Sequence, residues 1–455
     1  MLLSGYKNCF KIPELKKRIL FTCGIIALCR LVSLIPCPGV NPAGLKDLFS
    51  GGQGEGGMLD MLNLFSGGAI EQFAVGALGI MPYISASIIL QLMTPVIPQL
   101  ERLMREGESG QKKYNQYMRY LTLAICIVQG VMYASVMSNP SSIGLKGEAV
   151  VLNPGFGFTV MTVITLTAGA MLVMWMGEMI TEHGIGNGAS LIITVNIVAR
   201  LPGALQTLWK QFSMGAASSD SDLNLIHILI LIVMFFVVTA ATVALTLGAY
   251  RVPIRYAAKR MQGIGGTATA QTSFLPLRVN YSGVMPIIFA GAIISFPLML
   301  MRYLPQDWGW VVWLEMHLQY GSTGYLLTYG AMILIFSFFW VANQFNPIKI
   351  ADDLQKNGGY IPGIRPGQAT SDFLGKTMDR ITLAGAIFLA ALAVLPMLLS
   401  RSLNIQPNIA QFFGGTSLLI IVGVTLETLQ QVENYLVARN YEGFMEKGRL
   451  RSRRG

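Results

Sequence analysis

Charge is scarce in this sequence. Asp, Glu, Lys and Arg make up 12% of its 455 residues, about half the ~25% usual in soluble domains. A soluble globule needs more polar side chains to cover its surface, so an ordinary water-soluble enzyme is disfavoured. With 53% apolar residues and a mean hydropathy of +0.54, a disordered chain is excluded too. Histidine is nearly missing: His183, His227 and His317 lie far apart in the chain. The five cysteines (Cys9, Cys23, Cys29, Cys37 and Cys126) are odd in number and show neither disulfide nor zinc spacing. There is no G-x-x-x-x-G-K-S/T phosphate loop, and Gly263-Ile264-Gly265-Gly266 lacks the preceding strand of a dinucleotide site. Glu178, Glu182 and His183 read as a polar turn running into Gly184-Ile185-Gly186-Asn187-Gly188, with metal binding as the alternative. Nothing pairs a nucleophile with a base. The expectation is a chain without catalytic activity, cofactor or metal, driven by a partner or a gradient.

The chain has long apolar runs instead. A helix needs ~20 apolar residues to cross the hydrocarbon layer. Ten stretches qualify: 19–37, 73–97, 118–137, 157–177, 188–207, 224–247, 282–301, 325–345, 381–400 and 412–432. The fifth is the weakest, because Asn196 and Arg200 interrupt it. Lys16, Lys17 and Arg18 before the first run resemble a signal peptide. That run reaches Pro36 without a small-x-small cleavage site, so it reads as an uncleaved first span.

Eleven flanking segments alternate in side. Six of them (1–18, 98–117, 178–187, 248–281, 346–380 and 433–455) carry 5, 4, 0, 5, 5 and 6 Lys or Arg residues. The opposite five hold one each: Lys46, Lys146, Lys210, Arg302 and Arg401. Basic loops stay in the cytoplasm, which predicts both termini inside. The basic face has two readings. One is topology with attraction to anionic lipid; the other is a docking surface, favoured by the length of loops 248–281 and 346–380.

Two spans share a pattern. Gly79-Ile80-Met81-Pro82-Tyr83-Ile84 and Gly283-Val284-Met285-Pro286-Ile287-Ile288 repeat Gly, Met, Pro and Ile at one spacing. Each opens the second span of a five-span half, so the two helices cross in opposite directions. This predicts an inverted repeat with a pathway between the halves, 1–210 and 211–455. Glycines 51, 52, 54, 56 and 57 precede a short apolar stretch from Met58 to Phe65. At ~12 Å it is too short to cross; it reads as a mobile plug or as a helix lying on the outer surface. Trp308, Trp310 and Trp313 read as an interfacial anchor. Arg30 and Glu427 are the clearest ionisable residues within spans, and Arg30 lies near the outer end of its helix, from where it could snorkel to the interface. Few carboxylates in spans argues against an ion-coupled secondary transporter, the runner-up reading.

Several stretches carry a family resemblance. They are Phe65-Ser66-Gly67-Gly68-Ala69, Ala77 to Ile88, Glu106-Gly107-Glu108-Ser109-Gly110, Gly184 to Gly188, Phe345-Asn346-Pro347, Pro362-Gly363-Ile364-Arg365-Pro366-Gly367 and Gly414 to Ile420. Together and in this order the chain resembles the SecY family, channel subunits of the bacterial protein translocase. The resemblance implies an all-α membrane protein with ten transmembrane helices in two inverted five-helix halves. It implies a pore ring of Ile80, Ile84, Ala189, Ile193, Ile288 and Ile420, where Ala189 departs from the expected isoleucine. A ring of branched aliphatic groups offers an ion nothing to replace its water, so it can seal while remaining deformable.

The resemblance further implies a plug over about 58–70 and a lateral gate between the second and seventh spans. Ser85, Ser87 and Gln91 are expected to hydrogen-bond across that gate, or else locally to their own helix. Docking of the motor ATPase SecA or the ribosome would fall to Arg255, Lys259, Arg260 and Arg365. The loop tip carries Ile264-Gly265 where the family often has two basic residues. SecE and SecG subunits, signal-sequence-bearing polypeptides and membrane lipid complete the implied partners. The implied place is the bacterial plasma membrane, and the implied function is to pass unfolded polypeptides across it and release helices sideways into it.

Overall fold

The computed structural model describes residues 12–41, 45, 66–138, 151, 153–215, 225–256, 272–301, 308–319, 321–402, 412 and 415–447. The stretch 58–65, the loop tip Ile264-Gly265 and the basic residues Lys259 and Arg260 lie outside these.

Helices occupy every predicted span, with shifted ends. They are α1 Pro13–Val32, α2 Met81–Met93, α3 Pro98–Arg105, α4 Glu108–Ser138, α5 Phe156–His183, α6 Gly188–Gly215 and α7 Leu225–Leu247. After α7 come strands β1 Ala249–Tyr256 and β2 Thr272–Arg278, then α8 Met285–Met301, α9 Gly309–Leu318, α10 Thr323–Gln344 and α11 Pro347–Lys356. Strand β3 Gly359–Tyr360, α12 Gln368–Ser402 and α13 Thr416–Lys447 complete the order. Among the described residues six helices are long and apolar enough to cross a membrane on their own. The other spans are carried by α1, which is rich in charge at its start, by the short α2 and α8, and by α13, whose later turns are polar. The helix α6 runs to Gly215, past position 210, where the expected halves divide.

The second span departs most from expectation. Residues 67–80 form successive turns, and only the 13 residues of α2 are helical, reaching ~20 Å. Non-helical backbone at membrane depth needs its polar groups satisfied within the protein. Here they are. Val75 and Gly76 donate to the carbonyls of Ile35 and Val32 at 2.8 and 3.2 Å, and Ala74 and Ala77 donate within the segment. Around this segment Ile70, Phe73, Ala77 and Leu78 are buried against Tyr133, Met137, Leu166 and Ala170. Gly169 of α5 faces the Val75 carbonyl so closely that a side chain there has no room. After α2 the chain turns by 105° into α3, which lays Leu100 against Tyr114 and Met118 of α4.

The two long basic loops are joined. β1, β2 and β3 form an antiparallel sheet in the order β2-β1-β3, with Arg255 opposite Thr272 on one side and Tyr360 on the other. This small sheet stands outside the helical body and was not foreseen from the sequence. Its strand β1 alternates: Val252 and Ile254 are buried, while Arg251, Pro253 and Arg255 are exposed. One buried face therefore packs on the ends of α10 and α12 through Val341, Phe345, Leu374 and Met378. Pro253 is tolerated because β3 pairs only with the last two residues of β1, so its missing N–H interrupts no second ladder.

Candidate functional site

The repeated motif is a repeated backbone device. Gly79 has φ +56° and Gly283 has φ +62°, a left-handed conformation that favours glycine. Two residues later a helix begins in each half, at Met81 and at Met285, with Pro82 and Pro286 in the first turn, where a missing N–H costs nothing. The device aims Ile84 and Ile288 at the same place, five residues after each glycine. Both are buried in one apolar core that also holds Ile80, Ile193 and Ile420, with half-buried Ala189 packed against it. All six residues expected in the ring thus lie in or against this one extended core, on α2, α6, α8 and α13 and in the turn before α2.

Between α2 and α8 lies a cavity of about 190 Å³. Tyr83, Ile84, Ser87 and Gln91 of α2 form one wall; Met285, Ile288 and Phe289 of α8, with Trp340 of α10, form the other. Ala189, Ser190 and Ile193 of α6 close its end, so four of the expected ring residues, Ile84, Ala189, Ile193 and Ile288, line the cavity. Ser190 is 2% exposed, and its hydroxyl has no hydrogen-bond partner among the described residues; nor does Gln91 Oε1. The cavity thus pairs aliphatic and aromatic surface with unused polar groups.

Among the described residues no side-chain hydrogen bond links Ser85, Ser87 or Gln91 of α2 to α8. Gln91 Nε2 donates to Ser87 Oγ at 3.1 Å, one turn back on the same helix. Ser85 is half-buried and makes no side-chain bond across the seam. The closure of α2 on α8 is therefore apolar. On the α8 side it is backed by Phe289, whose ring meets Trp340 and Phe336 edge-on at 5.2 and 6.2 Å, and by Tyr329, whose hydroxyl donates to the Ile287 carbonyl at 3.4 Å.

The glycine run before α6 is explained by packing. Asn187 caps α6 by accepting from the Ser190 N–H at 3.2 Å. Gly188 sits against the Gly177 carbonyl, and Gly186 has φ +86°. Gly177, unremarked in the sequence, leaves the space filled by the Ile80 side chain, 3.3 Å from where a Cβ would be. Glu178 is held by Arg119 of α4 in a two-pronged pair at 2.6 and 3.3 Å. Among the described residues no group of three His, Cys, Asp or Glu side chains could hold a metal ion.

Arg30 does not reach for the membrane surface. It donates to Asn196 Oδ1 at 3.0 Å and to the Gly67 carbonyl at 3.2 Å. Of the residues expected to dock partners, Arg255 and Arg365 are described, and both are exposed. Arg365 stands between two fixed turns. Ile361 to Ile364 is closed by a 3.1 Å bond with Pro362 and Gly363 (φ +84°) at its centre, the type II pattern. Beyond it, Thr370 Oγ1 donates to the Arg365 carbonyl at 2.8 Å. The exposed Trp308, Trp310 and Trp313 sit on or beside α9, where Trp313 stacks on His317 at 4.2 Å.

Comparison with known proteins gives a consistent answer. The SecY family profile matches residues 74–429. The SecY protein translocase subunit of Streptomyces coelicolor is 41% identical over 98% of this chain and all of its own length. That of Escherichia coli is 41% identical over 96% of this chain and 95% of its own. Among solved structures, a protein-conducting channel superposes with a TM-score of 0.63 at 18% identity, covering 94% of this chain and 96% of the other. Sec61 from a canine ribosome-channel complex of the endoplasmic reticulum superposes with a TM-score of 0.60 at 17% identity over the same shares.

Proposed function

Because this chain belongs to the SecY family, we propose that it conducts unfolded polypeptides through the centre of the molecule and releases apolar helices sideways between α2 and α8. It is a multi-pass membrane protein and a protein-conducting channel. The observation that supports the finer reading is that Ile84, Ala189, Ile193 and Ile288 line one cavity, with Ile80 and Ile420 buried in the same apolar core. A collar of this kind makes no directional bonds to a passing chain, so it suits many sequences, and it gives ions nothing to replace their water. The cavity beside it offers an entering segment apolar walls and the free hydrogen-bonding groups of Ser190 and Gln91.

The exposed Arg255 and Arg365, carried on loops tied by one sheet, support docking of a ribosome or of the SecA motor on that face. Phosphate contacts would serve the first. SecE and SecG as partners, the bacterial plasma membrane as the location, and cytoplasmic termini follow the same reading. An ion-coupled transporter finds no support: the cavity is lined by no carboxylate.

The test is a crosslink. A photoreactive group attached through Ile84→Cys, in a chain whose native cysteines are replaced, should capture a secretory polypeptide stalled during transport. Capture at an outward position such as Phe236, and none at position 84 or 288, would overturn the central route.

A further inference from the structure

The pore-facing stripe of α6 continues outward from the ring. Ala189, Ile193, Asn196 and Arg200 follow one another at helical spacing, so they share one face of the helix. The first two belong to the ring. The next two, which only weakened the fifth span as read from sequence, are both spent on the segment that leads into α2. Asn196, 4% exposed, accepts from Arg30, and the same guanidinium donates to the Gly67 carbonyl. Gly67 has φ +70°, and a Cβ there would lie 3.0 and 3.1 Å from Asn196, so the segment backbone rests directly on α6. One helical turn further out, Arg200 pairs with Glu71 of the same segment; the side chains are 23% and 40% exposed.

Three elements thus meet through directional bonds: α1 by Arg30, α6 by Asn196 and Arg200, and residues 67–71. The segment between Glu71 and Ile80 is buried and internally bonded, so it transmits the position of its start to Ile80 and Ile84. Apolar side chains alone leave a helix free to slide along its neighbour, whereas paired polar groups in apolar surroundings fix a register.

Resting on the channel reading above, we propose that Arg30, Asn196 and the Glu71–Arg200 pair are positioning residues for the ring. They lock α2 to α6 so that Ile80 and Ile84 stand opposite Ala189 and Ile193 when the channel is shut. They touch no substrate; they set the height of one side of the seal against the other.

The experiment measures resting ion leak through the purified complex, with its co-purifying small subunits, in planar bilayers. The variants are Arg30→Gln, Asn196→Leu, Glu71→Arg, Arg200→Glu and the double exchange Glu71→Arg/Arg200→Glu, with Ile84→Asn as the reference for a broken ring. Each single variant should raise the leak about tenfold, and the exchange should bring it back to within about twofold of the parent. A purely structural role would lower yield without this reversal. Singles that stay as tight as the parent while Ile84→Asn leaks would overturn the proposal and leave the channel reading standing. An Ile84→Asn variant that also stays tight would count against the channel reading instead. Where a charge reversal prevents assembly, the exchange decides: recovery of assembly and seal supports the pair, and failure of both overturns it.

Discussion

The two repeated turns, at Gly79 and at Gly283, share a backbone and differ in what supports them. The first is embedded in its own half. Its approach is pinned by Arg30, Asn196 and Arg200 and by main-chain bonds to the end of α1. The second lies close to the sheet. Asn280 donates to the Gly283 carbonyl at 3.0 Å, the Glu427 side chain lies over Gly283, and Val284 fills the space left by Gly423. Beyond that turn, α8 rests on aromatic rings. Directional bonds hold one gate helix, and shape-matched rings hold most of the other. Ring packing tolerates sliding and tilting better than a set of directional polar bonds does. The two sides therefore differ in support, and the expectation from that contrast is that α8 moves more readily than α2.

The largest test of this contrast is at the ring. Ile84→Asn and Ile288→Asn should each raise resting conductance in planar bilayers by tenfold or more, on the order of what a hydrated polar side chain in a dry constriction allows. The asymmetry predicts that Ile288→Asn also shortens the closed dwell times, because its helix is the freer one; equal kinetics would remove the distinction. Next in size is the aromatic support. Phe289→Ala should destabilise the seat of α8 by about 3 kcal/mol, in the range for a buried aromatic truncated to alanine. The readout is the thermal unfolding midpoint of the detergent-solubilised complex together with increased labelling at Ile288→Cys. Unchanged labelling with a lowered midpoint would place the support elsewhere.

The two glycines themselves give a finer comparison. Gly79→Ala and Gly283→Ala should each cost about 1–2 kcal/mol from the left-handed backbone. Gly283→Ala should cost only slightly more, because its new methyl meets Glu427 Oε1 at 2.7 Å, the free end of a flexible side chain that can swing aside, while that of Gly79 meets only ordinary contacts. Adding Glu427→Ala should close the gap between the two midpoints; a gap that persists means the contact is not its cause. The smallest effect belongs to Gln91. Its bond to Ser87 runs along α2 and bridges nothing, so Gln91→Leu should move gate opening by no more than about 0.6 kcal/mol. A large change in signal-sequence stringency would show that Gln91 finds a partner on α8 in another state.

The burial of Ile84 and Ile288 in one core was legible because both motifs share a spacing, a glycine, a helix-starting proline and an isoleucine two residues on; the other expected ring positions came only from the family resemblance. The gate chemistry was not. Ser85, Ser87 and Gln91 left two readings open in the sequence, across the gate or along their own helix, and only the packed structure shows the bond from Gln91 to Ser87 along α2. Gly177 was invisible for the same reason, because a glycine that makes room for Ile80 carries no mark of it. Arg30 looked like a residue reaching for the interface, and Asn196 and Arg200 like blemishes in a span.

The sequence alone settled the features that are properties of one stretch at a time. Apolar run length marked where helices pass, and the repeated Gly-x-Met-Pro marked two equivalent helix starts. Each depends on local composition or local spacing, which a linear string preserves. Tertiary structure decided what depends on pairs. Arg30 and Asn196 are 166 residues apart, and β1 meets β3 from another loop. No periodicity connects such residues, because their meeting is set by how whole helices pack, and packing is a property of the assembled surfaces.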